Sequence, residues 1–152
     1  MSAPGNGGEL LKLSTKGRYS VRAMLAMAIL ADGTKPVSLK QISAHEGISV
    51  SYLEQLFVHL RRAGLVKSVR GPGGGYHFAR NLDQITVAEI MDVVQECTQP
   101  VNCAACTQDL PACDAGRGSS ACLTRPLWDK LDDTIGAFLE SITLQNILDG
   151  SI

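Results

Sequence analysis

Five cysteines, Cys97, Cys103, Cys106, Cys113 and Cys122, fall within one stretch of this 152-residue chain, and the chain has no others. The stretch reads CTQPVNCAACTQDLPACDAGRGSSAC and has neither helical nor strand periodicity. A structureless loop of this length is uncommon in a small domain unless it is functional or disordered. Cysteine thiolates are soft, anionic donors, and several converging on one point can hold an iron–sulfur cluster. The same set can hold tetrahedral zinc or act as a metal-free redox switch. The three histidines, His45, His59 and His77, are scattered over different predicted elements. No Ser/His/Asp set and no carboxylate pair stands out, so no catalytic activity is assigned.

Which cysteine chemistry applies depends on compartment. The longest apolar run lies near residues 23–31, far short of a membrane span, and the N-terminus MSAPGNGGEL lacks a basic-then-apolar signal pattern. With 45% hydrophobic and 19% charged residues, the composition is that of a globular protein. These features predict a cytoplasmic location and no membrane partner. Structural disulfides are rare there, which favours metal or redox use of the cysteines. The formal net charge is only −1, but it is unevenly spread. Residues 1–80 carry 11 Lys and Arg against 4 Asp and Glu, a balance of +7; residues 81–152 carry 3 against 11, a balance of −8. Such segregation suggests that the first half meets a polyanion.

The elements around the cysteines can be read from capping and periodicity. Ser14 or Thr15 is positioned to cap a helix to about residue 31, with Val21, Met24, Leu25 and Ala28 on one face. Pro36 and Val37 form a short extended entry. Ser38 and Gln41 form a capping box that opens a second helix. Gly47 marks a tight turn, and Ser49 caps a third helix over about 50–63. Helix, Gly-containing turn and helix is a helix-turn-helix pattern. In the third helix Leu53, Leu56, Phe57 and Leu60 recur at core spacing. Ser51, Tyr52, Glu54, Gln55, Arg61 and Arg62 are left on the polar side, where a helix reading base edges needs them. Two short strands flank GPGGG, predicting a hairpin wing with Arg70 at a strand end. No Gly-Lys-Ser/Thr follows these glycines, so they do not read as a P-loop. Instead Gly73 and Gly74 would let backbone approach DNA closely. Thr86 and Glu89 suggest a capping box for a helix to about residue 96. After the cysteines, Thr124 caps a long helix to about residue 142. Its apolar positions Leu127, Leu131, Ile135, Phe138 and Ile142 advance almost as a heptad seam and predict a dimer interface. A short closing helix follows over 143–150.

The expected fold is mainly α with a small β-hairpin: a winged helix-turn-helix plus a long C-terminal dimerisation helix. It divides into a leader (1–11), the DNA-binding domain (12–82), a helix with the cysteine loop (83–123), and the dimerisation and closing helices (124–152). The chain at this point resembles the IscR-type winged-helix transcription regulators, the iron–sulfur cluster regulator family. The resemblance rests on LSTKGRYSVRAML at 13–25, ISVSYLEQLFVHLRRAGLVKSVRGPGGGY at 48–76, CLTRPLW at 122–128 and ITLQNIL at 142–148. It implies a homodimer that binds a palindromic operator in double-stranded DNA through the third helix and the wing. By position it implies phosphate contact near Arg18 and Tyr19, and base reading by Ser49, Ser51 and Glu54, whose carboxylate can accept from a cytosine amino group.

The resemblance also implies a cluster held by three cysteines before the long helix. Cys103 falls at the first ligand position, Cys122 at the last, and Cys113 is preferred to Cys106 for the middle one. The family's histidine ligand position holds Arg125, which stays protonated and cannot ligate. The acid near the N-terminus that some relatives use corresponds to Arg18. Cys106 is then the first candidate for a fourth ligand, with Asp109, Asp114, water or a small thiol as others. A 2Fe–2S cluster is preferred to 4Fe–4S, and zinc is the alternative metal. The expected function is therefore a DNA-binding regulator, a repressor in type, controlled by a cluster in segment 97–122 that senses iron, oxidant or cluster status. The alternatives are a thiol-redox or zinc-stabilised regulator and, less in keeping with the basic half, a small iron–sulfur carrier.

Overall fold

The structure is a computed structural model and describes residues 15–94 and 123–152. Two units are distinguished, residues 13–97 with 137–152, and residues 1–12 with 98–136. The described elements run in the order α1 (Thr15–Leu30), α2 (Leu39–Glu46), α3 (Val50–Arg62), β1 (Val66–Val69), β2 (Gly75–Phe78), a 3₁₀ turn (Leu82–Gln84), α4 (Val87–Val93), α5 (Arg125–Ser141) and α6 (Leu144–Asp149). The fold is thus mainly helical with a two-stranded antiparallel hairpin, as the sequence patterns imply.

Local chemistry sets the helix starts. Ser38 accepts from the Gln41 amide while the Gln41 side chain returns a bond to the Ser38 backbone, completing the expected capping box of α2. Ser49 Oγ accepts from the Tyr52 amide at 3.3 Å and starts α3. Thr86 Oγ1 accepts from the Glu89 amide at 3.2 Å and starts α4. The return bond expected of Glu89 is replaced, because its carboxylate takes a hydrogen bond from Arg80 Nη2. At the end of α1, Asp32 Oδ1 accepts from the Thr34 and Lys35 amides at 3.0 and 2.9 Å. These bonds, the Lys35 amide first, lower the Asp32 carboxyl from its ordinary 3.8 to about 2.

One core gathers the first unit. Leu53, Leu56, Phe57 and Leu60 of α3 are all buried, as their spacing predicts. They meet Met24 and Met27 of α1, Ile42 of α2, Leu65 and Val66 at the hairpin, Ile90 of α4 and Leu144 of α6. Each such side chain contributes about 1.5–3 kcal/mol by leaving water. The face of α1 differs from expectation. Gly17, Ser20, Ala23, Met24, Ala26 and Met27 are buried, whereas Val21, Leu25 and Ala28 are only partly so. Its second half is apolar nearly all round, so spacing alone does not select which side packs.

The hairpin is anchored twice. Val66 pairs with Phe78 and Val69 with Gly75 in its register. Val37, the residue of the extended entry, adds a bridge to Tyr76, with backbone bonds of 3.0 and 2.8 Å. The Tyr76 ring also packs on Phe57, with centroids 4.8 Å apart. A second bridge joins Thr86 to Thr143: Val87 N donates to Ile142 O at 2.9 Å and Leu144 N to Ile85 O at 3.0 Å. The start of α4 is thereby tied to the start of α6. No helix among the described residues is long and apolar enough to cross a membrane.

Candidate nucleic-acid interface

With its apolar stripe buried, α3 presents Ser51, Glu54, Gln55, Arg61 and Arg62 as exposed side chains. Positions 51, 54, 55, 58 and 62 share one side of a helix with period 3.6, so the exposed set forms one polar stripe along α3. Donors and acceptors lie toward its N-terminal end and two guanidinium groups lie in its last turn. Ser49 is exposed but its hydroxyl is occupied with capping. Tyr52 is half-buried, its ring edge-on to Tyr19 with centroids 5.9 Å apart and planes at 86°. This contact packs the first turn of α3 against α1. Arg18, beside Tyr19, is exposed. Of the expected candidates, Tyr19 of α1 and Tyr52 of α3 are thus brought into contact.

The wing supplies Arg70, exposed just past β1. Its turn runs Gly71-Pro72-Gly73-Gly74, with Gly74 N donating to Gly71 O at 2.9 Å. Pro72 and then Gly73 at φ 73° suit the two central positions of a type II turn, the second of which needs positive φ. A side chain at Gly74 would put Cβ 2.5 Å from Val69 O, and one at Gly75 would put it 2.4 Å from Val37 O. Turn geometry and close backbone packing thus account for these glycines independently of any DNA contact.

Sequence patterns alone pass over Arg22. It lies one helical turn after Tyr19, its guanidinium carbon 5.5 Å from that ring's centroid. Its Nη2 is 2.8 Å from Glu46 Oε2. An arginine on a helix otherwise rich in small and apolar residues was the available signal. Its partner, however, is 24 residues away in the chain.

Comparison with known proteins fits this arrangement. A family model described as Rrf2, iron-dependent transcriptional regulator, matches residues 13–150. The chain belongs to the Rrf2 family. It is 45% identical over 138 residues to the HTH-type transcriptional regulator IscR of Photorhabdus laumondii, covering 91% of this chain and 79% of that one. Among solved structures it is similar to T. potens IscR, with a TM-score of 0.70 and 39% identity over 93% of this chain and 89% of that one. It is also similar to CymR, the global cysteine regulator of B. subtilis, with a TM-score of 0.69 and 37% identity over 90% and 95% of the two chains. The resemblance to IscR-type regulators therefore holds, and the protein is a transcriptional regulator of the IscR/Rrf2 type. Its relatives are DNA-binding regulators and not enzymes.

The expected cluster ligands Cys103, Cys113 and Cys122, with Cys106, lie outside the described residues. Among the described residues no group of three or more His, Cys, Asp and Glu side chains is placed to hold a metal. Arg125 opens α5, with Nε 3.6 Å from Asp129 Oδ2. Along α5, Leu127 and Phe138 are 59% and 55% exposed, and Leu131 and Ile135 are half-buried, as is Ile142 just beyond it. Among its described side chains α5 buries none.

Proposed function

We propose that this Rrf2-family regulator binds a palindromic operator as a homodimer and that an iron–sulfur cluster in segment 97–122 controls its affinity. The observation that carries the proposal is the coincidence of five cysteines immediately before α5 with membership of a family described as iron-dependent. The donor chemistry fits. Cys103, Cys113 and Cys122 are soft thiolate donors at the positions implied by resemblance, and Cys106 supplies a fourth sulfur. Arg125, where a histidine ligand would stand, is a permanent cation beside Asp129 and cannot serve. When bound, a cluster supplies sensitivity to iron supply and to oxidants.

The chain's own residues do the reading. Ser51, Glu54 and Gln55 address base edges in the major groove, with Ser49 and Tyr52 at the entry of the helix. Arg61, Arg62, Arg18 and Tyr19 meet phosphates, while Arg70 and the Gly73–Gly74 turn bring the wing to the backbone. Leu127, Leu131, Ile135, Phe138 and Ile142 pair α5 with its copy, and the division 12–82, 83–123 and 124–152 follows these three tasks.

The full chain purified without oxygen tests this directly. The expected result is visible absorbance with iron and sulfide present, and loss of both in a Cys103→Ala, Cys113→Ala, Cys122→Ala variant. Colourless protein carrying stoichiometric zinc under the same handling overturns the cluster. The same five clustered thiols allow, as a second reading, a thiol-based switch without metal. In that case oxidant alone changes the DNA affinity of iron-free protein.

A further inference from the structure

The contact between Arg22 and Glu46 joins α1 to the end of α2. Arg22 lies in the middle of α1, and Glu46 is the last residue of α2, directly before the turn into α3. Arg22 Nε donates to Glu46 Oε2 at 2.9 Å, and Nη2 sits 2.8 Å from the same oxygen. Nη2 also donates to the Glu46 main-chain carbonyl at 3.2 Å. That carbonyl is one of those a helix leaves without an internal partner, and a cation there complements the helix dipole. One guanidinium thus caps the end of α2 and holds its last side chain at once. The other carboxylate oxygen of Glu46 lies 2.9 Å from His45 Nδ1. Glu46 is only 14% exposed although Arg22 is 49% exposed.

The clasp continues toward α3. The Arg22 guanidinium lies over the Tyr19 ring, and that ring meets Tyr52 in the first turn of α3. A continuous line of contacts therefore runs Glu46, Arg22, Tyr19, Tyr52. Its two ends, Glu46 at the end of α2 and Tyr52 in the first turn of α3, lie on opposite sides of the short turn between the two helices. Most exposed ion pairs contribute little because both partners are solvated and free to move. Here two guanidinium nitrogens on one carboxylate oxygen, the added carbonyl bond and the neighbouring Tyr19 ring restrict the guanidinium.

We infer that Arg22 and Glu46 form a positioning clasp that fixes α3 for sequence-specific DNA binding without themselves touching DNA. The inference rests on the proposed reading of DNA by α3. The clasp selects one orientation of the turn, so its loss lowers affinity for the specific site more than affinity for DNA in general. The alternative role for an exposed arginine in this region is a phosphate contact. The two roles differ in their dependence on Glu46 and on salt. A phosphate contact is lost with one released counterion, and it gains from removal of a nearby carboxylate. A clasp loses from removal of either partner.

The experiment uses the full-length protein and a duplex that the wild-type protein selects from a random library, with a scrambled duplex as control. Binding is followed by fluorescence anisotropy over a range of KCl concentrations. Arg22→Gln and Glu46→Gln are each expected to weaken specific binding by about three- to tenfold, and the double variant no more than either single one. The slope of log K against log salt is expected to match wild type, and scrambled-duplex affinity to stay unchanged for Glu46→Gln. Arg22→Lys, which keeps charge but loses the fork, is expected to fall between. It also provides a test should Arg22→Gln not fold. Thermal unfolding of each variant separates a repositioned helix from a damaged core. If Glu46→Gln binds as well as wild type or better, while Arg22→Gln lowers the salt slope by about one, Arg22 is a phosphate ligand and the clasp is overturned. Wild-type protein that selects no duplex overturns the DNA-reading proposal together with the clasp.

Discussion

At the scale of single residues, Gly75 shows how little room the wing has. Its Cβ position lies 2.4 Å from Val37 O and 2.9 Å from the Ser38 amide nitrogen. The nearest atoms, Val37 O, the Val37 carbonyl carbon and Ser38 N, are all backbone, which cannot rotate away as a side chain can. Gly75→Ala must therefore push the hairpin off Val37, breaking the bridge to Tyr76. The expected cost is about 1–3 kcal/mol of stability, read from the midpoint of urea unfolding, with a matching loss of DNA affinity. An unchanged midpoint would show that the strand moves freely. Asp32 makes a different kind of prediction. Hydrogen bonds hold its carboxyl at about 2 in the folded chain against an ordinary 3.8. The folded state therefore favours the ionised form, and its contribution is complete above about pH 4 and fades as pH falls toward 2. The stability difference between wild type and Asp32→Ala is expected to be constant near neutrality and to shrink through that acid range. A difference that grows on acidification contradicts this account.

At the scale of elements, the two kinds of helix signal differ in what they disclose. Caps are local chemistry, and Ser38 with Gln41, Ser49 and Thr86 each mark a helix start within a residue. The face of a helix is a tertiary property. In α3 the polar and apolar residues alternate strongly enough that spacing identifies the buried side correctly. In α1 the run MLAMAIL offers apolar residues in every direction, and the packing of α2 and α4 decides that Ala26 and Met27 go inside. The polar stripe of α3 was legible because it is what remains after the core is assigned. The Arg22–Glu46 clasp was not, since it depends on how two helices meet. The same logic applies to α5, whose apolar positions lack any buried member among its described side chains. With Leu127 and Phe138 more than half exposed, a paired copy is the proposed cover. Phe138→Glu places a charge in that seam. The expected result is conversion from dimer to monomer in sedimentation, with loss of affinity for a two-half-site duplex. A wild-type chain that sediments as a monomer would sink the proposal.

At the scale of the whole molecule, the charge and the sulfur are distributed to opposite ends of the task. The basic residues gather before residue 81, where α3 and the wing lie, and the acidic ones after it, where the cysteines and α5 lie. A permanently cationic Arg125 at the start of α5 removes nitrogen ligation from that position, so a fourth ligand of the proposed cluster must come from elsewhere. Sulfur and carboxylate ligands leave different signatures, because thiolate-to-iron charge transfer dominates visible spectra and the nature of the ligands helps to set the reduction potential. If Cys106 is the fourth ligand, Cys106→Ala shifts the absorption envelope and the potential while Asp109→Asn and Asp114→Asn leave both unchanged. If an acid serves, that acid's amide variant alters the spectrum and Cys106→Ala does not. Cys97 stands outside the proposed ligand set, so Cys97→Ala should retain full iron and sulfide. A cluster lost from Cys97→Ala, in protein whose thermal unfolding matches wild type, would move the ligand set to the other end of the cysteine segment and require the assignment of Cys103 to be redrawn.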